Sequence, residues 1–140
     1  MRFEKSCRKF LNIIQNYKVA IVGSRSLKDY EFFCQHLYDI FKLLGMPQLI
    51  VSGGAEGADF FAEIFAEENG IELLIIKANW TAYGYAAGPL RNSEILDISD
   101  IVIAFWNYQS PGTADSIKKA VSRKMSVYIV NTITGQIERR

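Results

Sequence analysis

Five short runs of the chain, Val19–Val22, Leu49–Val51, Leu73–Ile76, Ile101–Phe105 and Val127–Val130, are aliphatic or aromatic without a polar interruption. A strand with one wet face alternates polar and apolar residues. A strand with no polar position must be covered on both faces, the usual state of a parallel sheet. Parallel neighbours need a crossover long enough to return the chain to the same edge, so the segments between the runs should be helical.

They are. Phe33, Leu37, Phe41 and Leu44 recur at steps of three or four residues and mark one face of a helix. Ser26 followed by Asp29 predicts a capping box at its start, and Gly45 with Pro47 predicts its end. A second helix carries Phe61, Ala62, Phe65 and Ala66 and stops at Gly70. A third begins near Pro89 and a fourth runs from about Thr113 to Arg123. Strict alternation of strand and helix predicts an α/β, Rossmann-like, doubly wound domain over residues 18–131, with a mainly parallel five-stranded sheet and helices on both faces. Residues 1–17 stand outside this unit, and Phe3, Cys7, Phe10 and Ile14 predict an added N-terminal helix. Residues 132–140 read as a polar tail, frayed or forming a short edge strand.

The 140 residues carry 16 Lys and Arg against 15 Asp and Glu, a formal net charge of +1. That balance provides no global field of the kind that draws in a polyanion, so long nucleic acid is not expected as a partner. Lys118, Lys119, Arg123 and Lys124 cluster, but as the solvated face of a helix whose other side holds Ile117, Ala120 and Val121. Cys7 and Cys34 match no disulfide framework or ligand spacing, and the interrupted run Phe10–Ile14 is too short for a signal or a membrane span. A cytoplasmic location with no membrane association is the expectation.

Turn-forming, polar segments follow the carboxyl ends of the predicted strands: Gly23-Ser24-Arg25-Ser26, then Ser52 to Asp59, then Lys77 to Asn92, then Asn107 to Thr113. In an open α/β sheet such loops meet on one edge, where ligands bind. Glycines before a helix let backbone N–H groups approach an anion, and Gly53-Gly54 with Gly57, Gly112-Thr113, and Gly23 beside Arg25 all offer this arrangement. Each glycine also serves as a plain tight turn. Arg91 and Asn92, near the start of the third helix, could clamp phosphate. Trp80 and Tyr83, with Tyr85, Trp106 and Tyr108 nearby in sequence, offer flat surfaces for a base, worth about 1–3 kcal/mol per base stacked.

Several chemistries lose support. Neither the P-loop spacing nor the dinucleotide fingerprint is present. His36, the single histidine, falls within the first helix, so no serine–histidine–acid triad assembles and a catalytic zinc lacks ligands. No cofactor or metal is expected.

Taken together, Val22-Gly23-Ser24-Arg25, Ser52-Gly53-Gly54-Ala55-Glu56-Gly57-Ala58-Asp59, Trp80 to Tyr83, Ala87-Gly88-Pro89-Leu90-Arg91-Asn92, Ile103-Ala104-Phe105-Trp106 and Gly112-Thr113 resemble the YspA-like branch of the SLOG superfamily over about residues 18 to 130. The resemblance implies a Rossmann-like fold with a nucleotide-related ligand, in a superfamily that includes Lonely Guy phosphoribohydrolases, DNA-processing protein A and sensor domains for nucleotide signals. It also implies self-association, since members often pair through helices beside the active edge. The hydrolases use an arginine, to which Arg91 is similar, and a glutamate three residues after the Gly-Thr pair, where this chain has Ser116. Asp115 stands one residue early, a rotation of about 100° on a helix.

Two functions are therefore expected in competition. One is binding of a nucleotide or nucleotide derivative, as a sensor or sequestering protein, through Gly23, Ser24, Arg25, Gly53, Gly54, Gly57, Asp59, Trp80, Tyr83, Arg91, Asn92, Gly112 and Thr113. In that reading Asp59 orients ribose hydroxyls or helps hold Arg25. The other is hydrolysis of an N-glycosidic or phosphate bond, with Arg91 stabilising the leaving charge and Asp115, Asp59 or Glu94 as acid or base.

Overall fold

The structure, a computed structural model, describes residues 14–140. The predicted helix over Phe3, Cys7 and Phe10 lies outside the described residues. Ile14 forms an isolated bridge with Met46.

In chain order the elements are β1 (Lys18–Gly23), α1 (Tyr30–Leu44), β2 (Leu49–Ser52), α2 (Ala58–Asn69), β3 (Glu72–Ile75), the single turn α3 (Trp80–Tyr83) with a 3₁₀ turn (Gly84–Ala86), α4 (Ala87–Ile98), β4 (Ile101–Trp106), α5 (Pro111–Ser122), β5 (Ser126–Asn131) and β6 (Ile137–Arg139). The sheet runs β3-β2-β1-β4-β5-β6. Its first five strands are parallel, with Val19 beside Ile50 and Ile21 beside Ile103, and β6 returns antiparallel on β5.

This is the doubly wound, Rossmann-like α/β class, with six strands instead of five. The sixth comes from the polar tail. Asn131 accepts from the N–H groups of Ile133 and Thr134, and Gly135 turns back with φ +78°, so residues 137–139 reach β5. No apolar run announces β6 because all three of its residues are exposed. Burial follows position in the sheet. The interior strands β1, β4 and β5 bury four consecutive residues, whereas edge strand β3 leaves Leu74 38% exposed.

Two apolar layers sandwich the sheet. Phe33, Leu37 and Phe41 of α1 and Ala62 and Phe65 of α2 pack on Val19, Ile21, Ile50 and Phe105. Ile95 and Leu96 of α4 and Ile117 and Ala120 of α5 pack on Ala20, Val22, Val51 and Ala104. Alternate residues of one strand thus serve opposite layers, which is why no polar residue interrupts it. Helix punctuation also follows local chemistry. Asp29 itself caps α1 by accepting from the Phe32 N–H, replacing the predicted box that began at Ser26. Gly45 ends α1, and Gly70 ends α2 in the left-handed region. Pro111 occupies the first turn of α5, two residues before the predicted start. Among the described residues no helix is long and apolar enough to cross a membrane.

Phe33 is fully buried and its ring lies 4.6 Å from that of Phe105 and 5.7 Å from that of Phe61, tying α1 to β4 and α2. Phe33→Ala should therefore cost about 3–5 kcal/mol in urea unfolding; a loss below about 1 kcal/mol would mean that the helix layers hold without this joint.

Candidate functional site

The chain reverses sheet direction between β1 and β4. The loop leaving β1 feeds α1 on one layer, whereas the loop leaving β4 feeds α5 on the other. Diverging loops open a crevice at the carboxyl ends of those strands. An inner cleft of about 430 Å³ occupies it, walled by Gly23 and Ser24, by Asp59 and Asn92, and by the Asn107 to Thr113 segment with Ser116. A wider outer cleft of about 940 Å³ adjoins it, walled by Gly53, Gly54 and Gly57, by Lys28 and Lys77, and by Phe60 and Trp80. Arg25, Ala55 and Arg91 line both clefts and mark their junction.

Each wall has a local cause. Gly23 is required by packing, since a Cβ there would stand 2.6 Å from both the Ala58 Cβ and the Phe105 carbonyl oxygen. Ser24 is a fully buried joint: its N–H donates to the Phe105 carbonyl at 2.8 Å and its hydroxyl accepts from the Asn107 N–H at 3.2 Å. Its carbonyl accepts from Leu27 and Ala58. Gly53 makes room for two charges, because a Cβ would meet Arg91 Nη1 at 2.5 Å and Asp59 Oδ2 at 2.8 Å. Gly57, at φ +70°, lets α2 begin against the Ser24 and Arg25 backbone. Gly112 differs: nothing lies within 4 Å of the position of its Cβ.

Arg91 is held in place, donating from Nη1 to the Gly53 carbonyl at 2.8 Å and from Nε to Asn92 Oδ1 at 3.1 Å. Buried Asn92 in turn donates to the Gly112 carbonyl and to Asp115. Arg25 is exposed and makes no hydrogen bond or ion pair among the described residues. Neither α2 nor α5 has a side-chain cap at its start, and both starts border the inner cleft. First-turn N–H groups and the positive ends of two helix dipoles therefore accompany two guanidinium groups, an anion-binding constellation.

Asp59 is the buried carboxylate of this site; Glu56 and Glu63 line the outer cleft. Asp59 is 6% exposed and accepts from the Ala55 N–H at 3.2 Å. Burial pushes its pKa up from 3.8 to about 6, against the Ala55 hydrogen bond and the charges of Arg91 and Arg25, which pull it down. Asp115 is occupied elsewhere: its Oδ2 accepts from Lys119 Nζ at 2.8 Å and from Asn92, and it lines neither cleft. Ser116 lines the inner cleft instead.

Of the other predicted residues, Thr113 is buried in the inner wall with its hydroxyl 3.2 Å from that of Ser110. Trp80 is half exposed on the outer wall, and its ring edge would lie 3.3 Å from a Cβ on Gly88. Tyr83 is exposed and lines neither cleft. Trp106 serves its own loop, donating to the Ser110 carbonyl and stacking on Tyr108 at 4.3 Å.

Four contributors were not singled out as site residues in the sequence. Asn107 organises the β4 loop by accepting from the N–H groups of Gln109 and Ser110, a use signalled by an asparagine directly after a strand. Phe60 falls off the apolar stripe of its helix, the mark of an aromatic facing outward. Lys28 and Lys77 flank the outer cleft but carry no local signal.

Because the folded pKa of Asp59 is raised, its ionisation opposes folding: the carboxyl costs nothing below about pH 4, and the cost accrues as pH rises through about 6. Asp59→Asn should thus gain stability relative to wild type between pH 4 and pH 7, by up to about 3 kcal/mol at about 1.4 kcal/mol per pKa unit. Urea unfolding at the two pH values reads the difference, and an equal gap at both would remove Asp59 as a strained carboxylate.

Comparison with known proteins bears on the same region. A family model described as "YspA, cpYpsA-related SLOG family" matches residues 17–83. The Gene 61 protein of Mycobacterium phage D29 is 31% identical across 81% of this chain and 94% of its own length. Among solved structures, DNA processing protein A from Streptococcus pneumoniae superposes with a TM-score of 0.65 at 22% identity, and that from Helicobacter pylori with 0.58 at 21%. Each covers 86% of this chain, which spans about half (51%) of the first and 67% of the second. The second structure is described by its single-stranded DNA binding mode. That finding overturns the expectation, drawn from balanced charge, that long nucleic acid is an unlikely partner. Net charge averages over the whole surface, whereas the outer cleft is lined by four cations, Arg25, Lys28, Lys77 and Arg91, against Glu56 and Glu63. By sequence, this chain belongs to the YspA/cpYpsA-related SLOG family.

Proposed function

We propose that the protein binds a nucleotide or nucleotide derivative, free or within a single strand, with phosphate held at the junction of the two clefts. One observation carries this reading: Arg25 and Arg91 line the junction, beside two helix starts that lack side-chain caps. Arg91 is preorganised by the Gly53 carbonyl and Asn92, so little freedom is lost when it meets an anion. Arg25 is unengaged and supplies the adaptable second charge. Gly53 and Gly54 allow close backbone approach on one side, and the Gly112-Thr113 turn offers N–H groups on the other. The base extends into the outer cleft toward the half-exposed ring of Trp80.

The placement of Asp115 favours binding over turnover. A carboxylate shared between Lys119 and Asn92 is poorly available to move a proton in a cleft it does not line. A hydrolytic role would fall to Asp59, whose pKa near 6 suits proton transfer but whose burial leaves little access to solvent water. The reading is therefore of a sensor or sequestering protein, with Asp59 orienting ribose hydroxyls.

Arg25→Ala tests the site with little structural cost, since the side chain is exposed and unpaired among the described residues. Losing a charged hydrogen-bond donor should weaken calorimetrically measured affinity for a bound nucleotide by about 1.5–3 kcal/mol. Unchanged affinity in both Arg25→Ala and Arg91→Ala would place the ligand elsewhere.

A further inference from the structure

The outer cleft alone is large enough for a nucleoside. The inner cleft, at about 430 Å³, is much larger than the phosphate that the junction would hold. It falls by itself within the roughly 300–1,000 Å³ typical of complete small-molecule sites. Its lining is not that of an anion hole alone. Ser26, Asn107, Ser110 and Ser116 bring hydroxyl and amide groups, the chemistry that reads sugar hydroxyls and base edges. The outer cleft adds flat rings, with Phe60 and Trp80 each about half exposed at 53% and 52%, among Lys28, Lys77, Glu56 and Glu63. Flat apolar surface suits a stacked base.

The residues common to both compartments are Arg25, Ala55 and Arg91, so the cationic element lies between two nucleoside-sized spaces. From this arrangement we infer that the site takes two linked nucleotides, with the connecting phosphate at the arginines, one base against Trp80 and Phe60, and the second nucleoside in the inner cleft. The inference rests on the nucleotide-binding reading above and narrows its ligand to a dinucleotide unit. That unit is either a free dinucleotide or two consecutive residues of a strand.

The test is calorimetry on the full chain with AMP, GMP, CMP and UMP, with the matching 5′-phosphorylated dinucleotides, and with oligonucleotides of increasing length. The dinucleotide of at least one base should bind about tenfold or more tightly than its mononucleotide, the gain expected from a second well-placed base. Ser26→Leu, which narrows the inner compartment from its exposed rim, should erase that gain. Trp80→Ala should weaken both ligands, and Trp80→Phe should restore them. Should Ser26→Leu fail to fold, wild-type protein still decides: a dinucleotide with a photoreactive azide on each base should label peptides near both Trp80 and Ser110. Equal affinity for mono- and dinucleotides, or labelling in one compartment alone, would overturn the two-compartment assignment and leave nucleotide binding standing. Binding of none of these ligands would overturn both. Affinity that is complete at the dinucleotide identifies a free ligand, whereas affinity that grows with length identifies a strand.

Discussion

The molecule depends on how closely three elements approach one another where β1 ends. Gly23 has no space for a Cβ between Ala58 at the start of α2 and the Phe105 carbonyl of β4. The following residue, Ser24, engages its N–H, carbonyl and hydroxyl with β4, α2 and the β4 loop together. Polar groups this deeply buried are costly when unpaired, so their mutual satisfaction locks the relative placement of the loops. Everything on the carboxyl edge takes its position from that joint.

The same joint explains why the cleft is charged in the way it is. Bringing α2 against the β1 loop buries Asp59 behind Gly53, and Arg91 reaches over from α4 to the Gly53 carbonyl. A carboxyl with its pKa near 6 beside two arginines is an electrostatic compromise: full ionisation is opposed by burial, full neutrality by the cations. An arriving phosphate would find those cations only partly neutralised. A net charge of +1 for the whole chain conceals this local excess, in which Arg25, Lys28, Lys77 and Arg91 outnumber Glu56 and Glu63 around the outer cleft.

Most of the fold was legible because its determinants are local or periodic. Unbroken apolar strands report double burial, and steps of three and four residues report a helix face. Glycines at 45 and 70 report helix ends, and both were found there. The sixth strand was not fully legible, because a strand exposed along its whole length needs no apolar signature and is held by backbone pairing and the Asn131 turn. The cap at Asp29 competed with an equally plausible one at Ser26, and which oxygen meets an N–H depends on how the chain leaves the Gly23 joint.

Sequence by itself determined the layered α/β architecture, the edge on which polar loops gather and the glycines that let backbone and charge approach closely. Periodicity and turn chemistry act over a few residues and survive without knowledge of distant neighbours. Tertiary structure alone decided that Arg25 and Arg91 stand at the seam of two clefts, that Asp115 turns to Lys119 and Asn92 while Ser116 takes the inner wall, and that Trp106 braces its own loop while Trp80 remains available. Those outcomes depend on side-chain direction across elements far apart in the chain, a few tens of degrees of helix rotation being enough to reverse them.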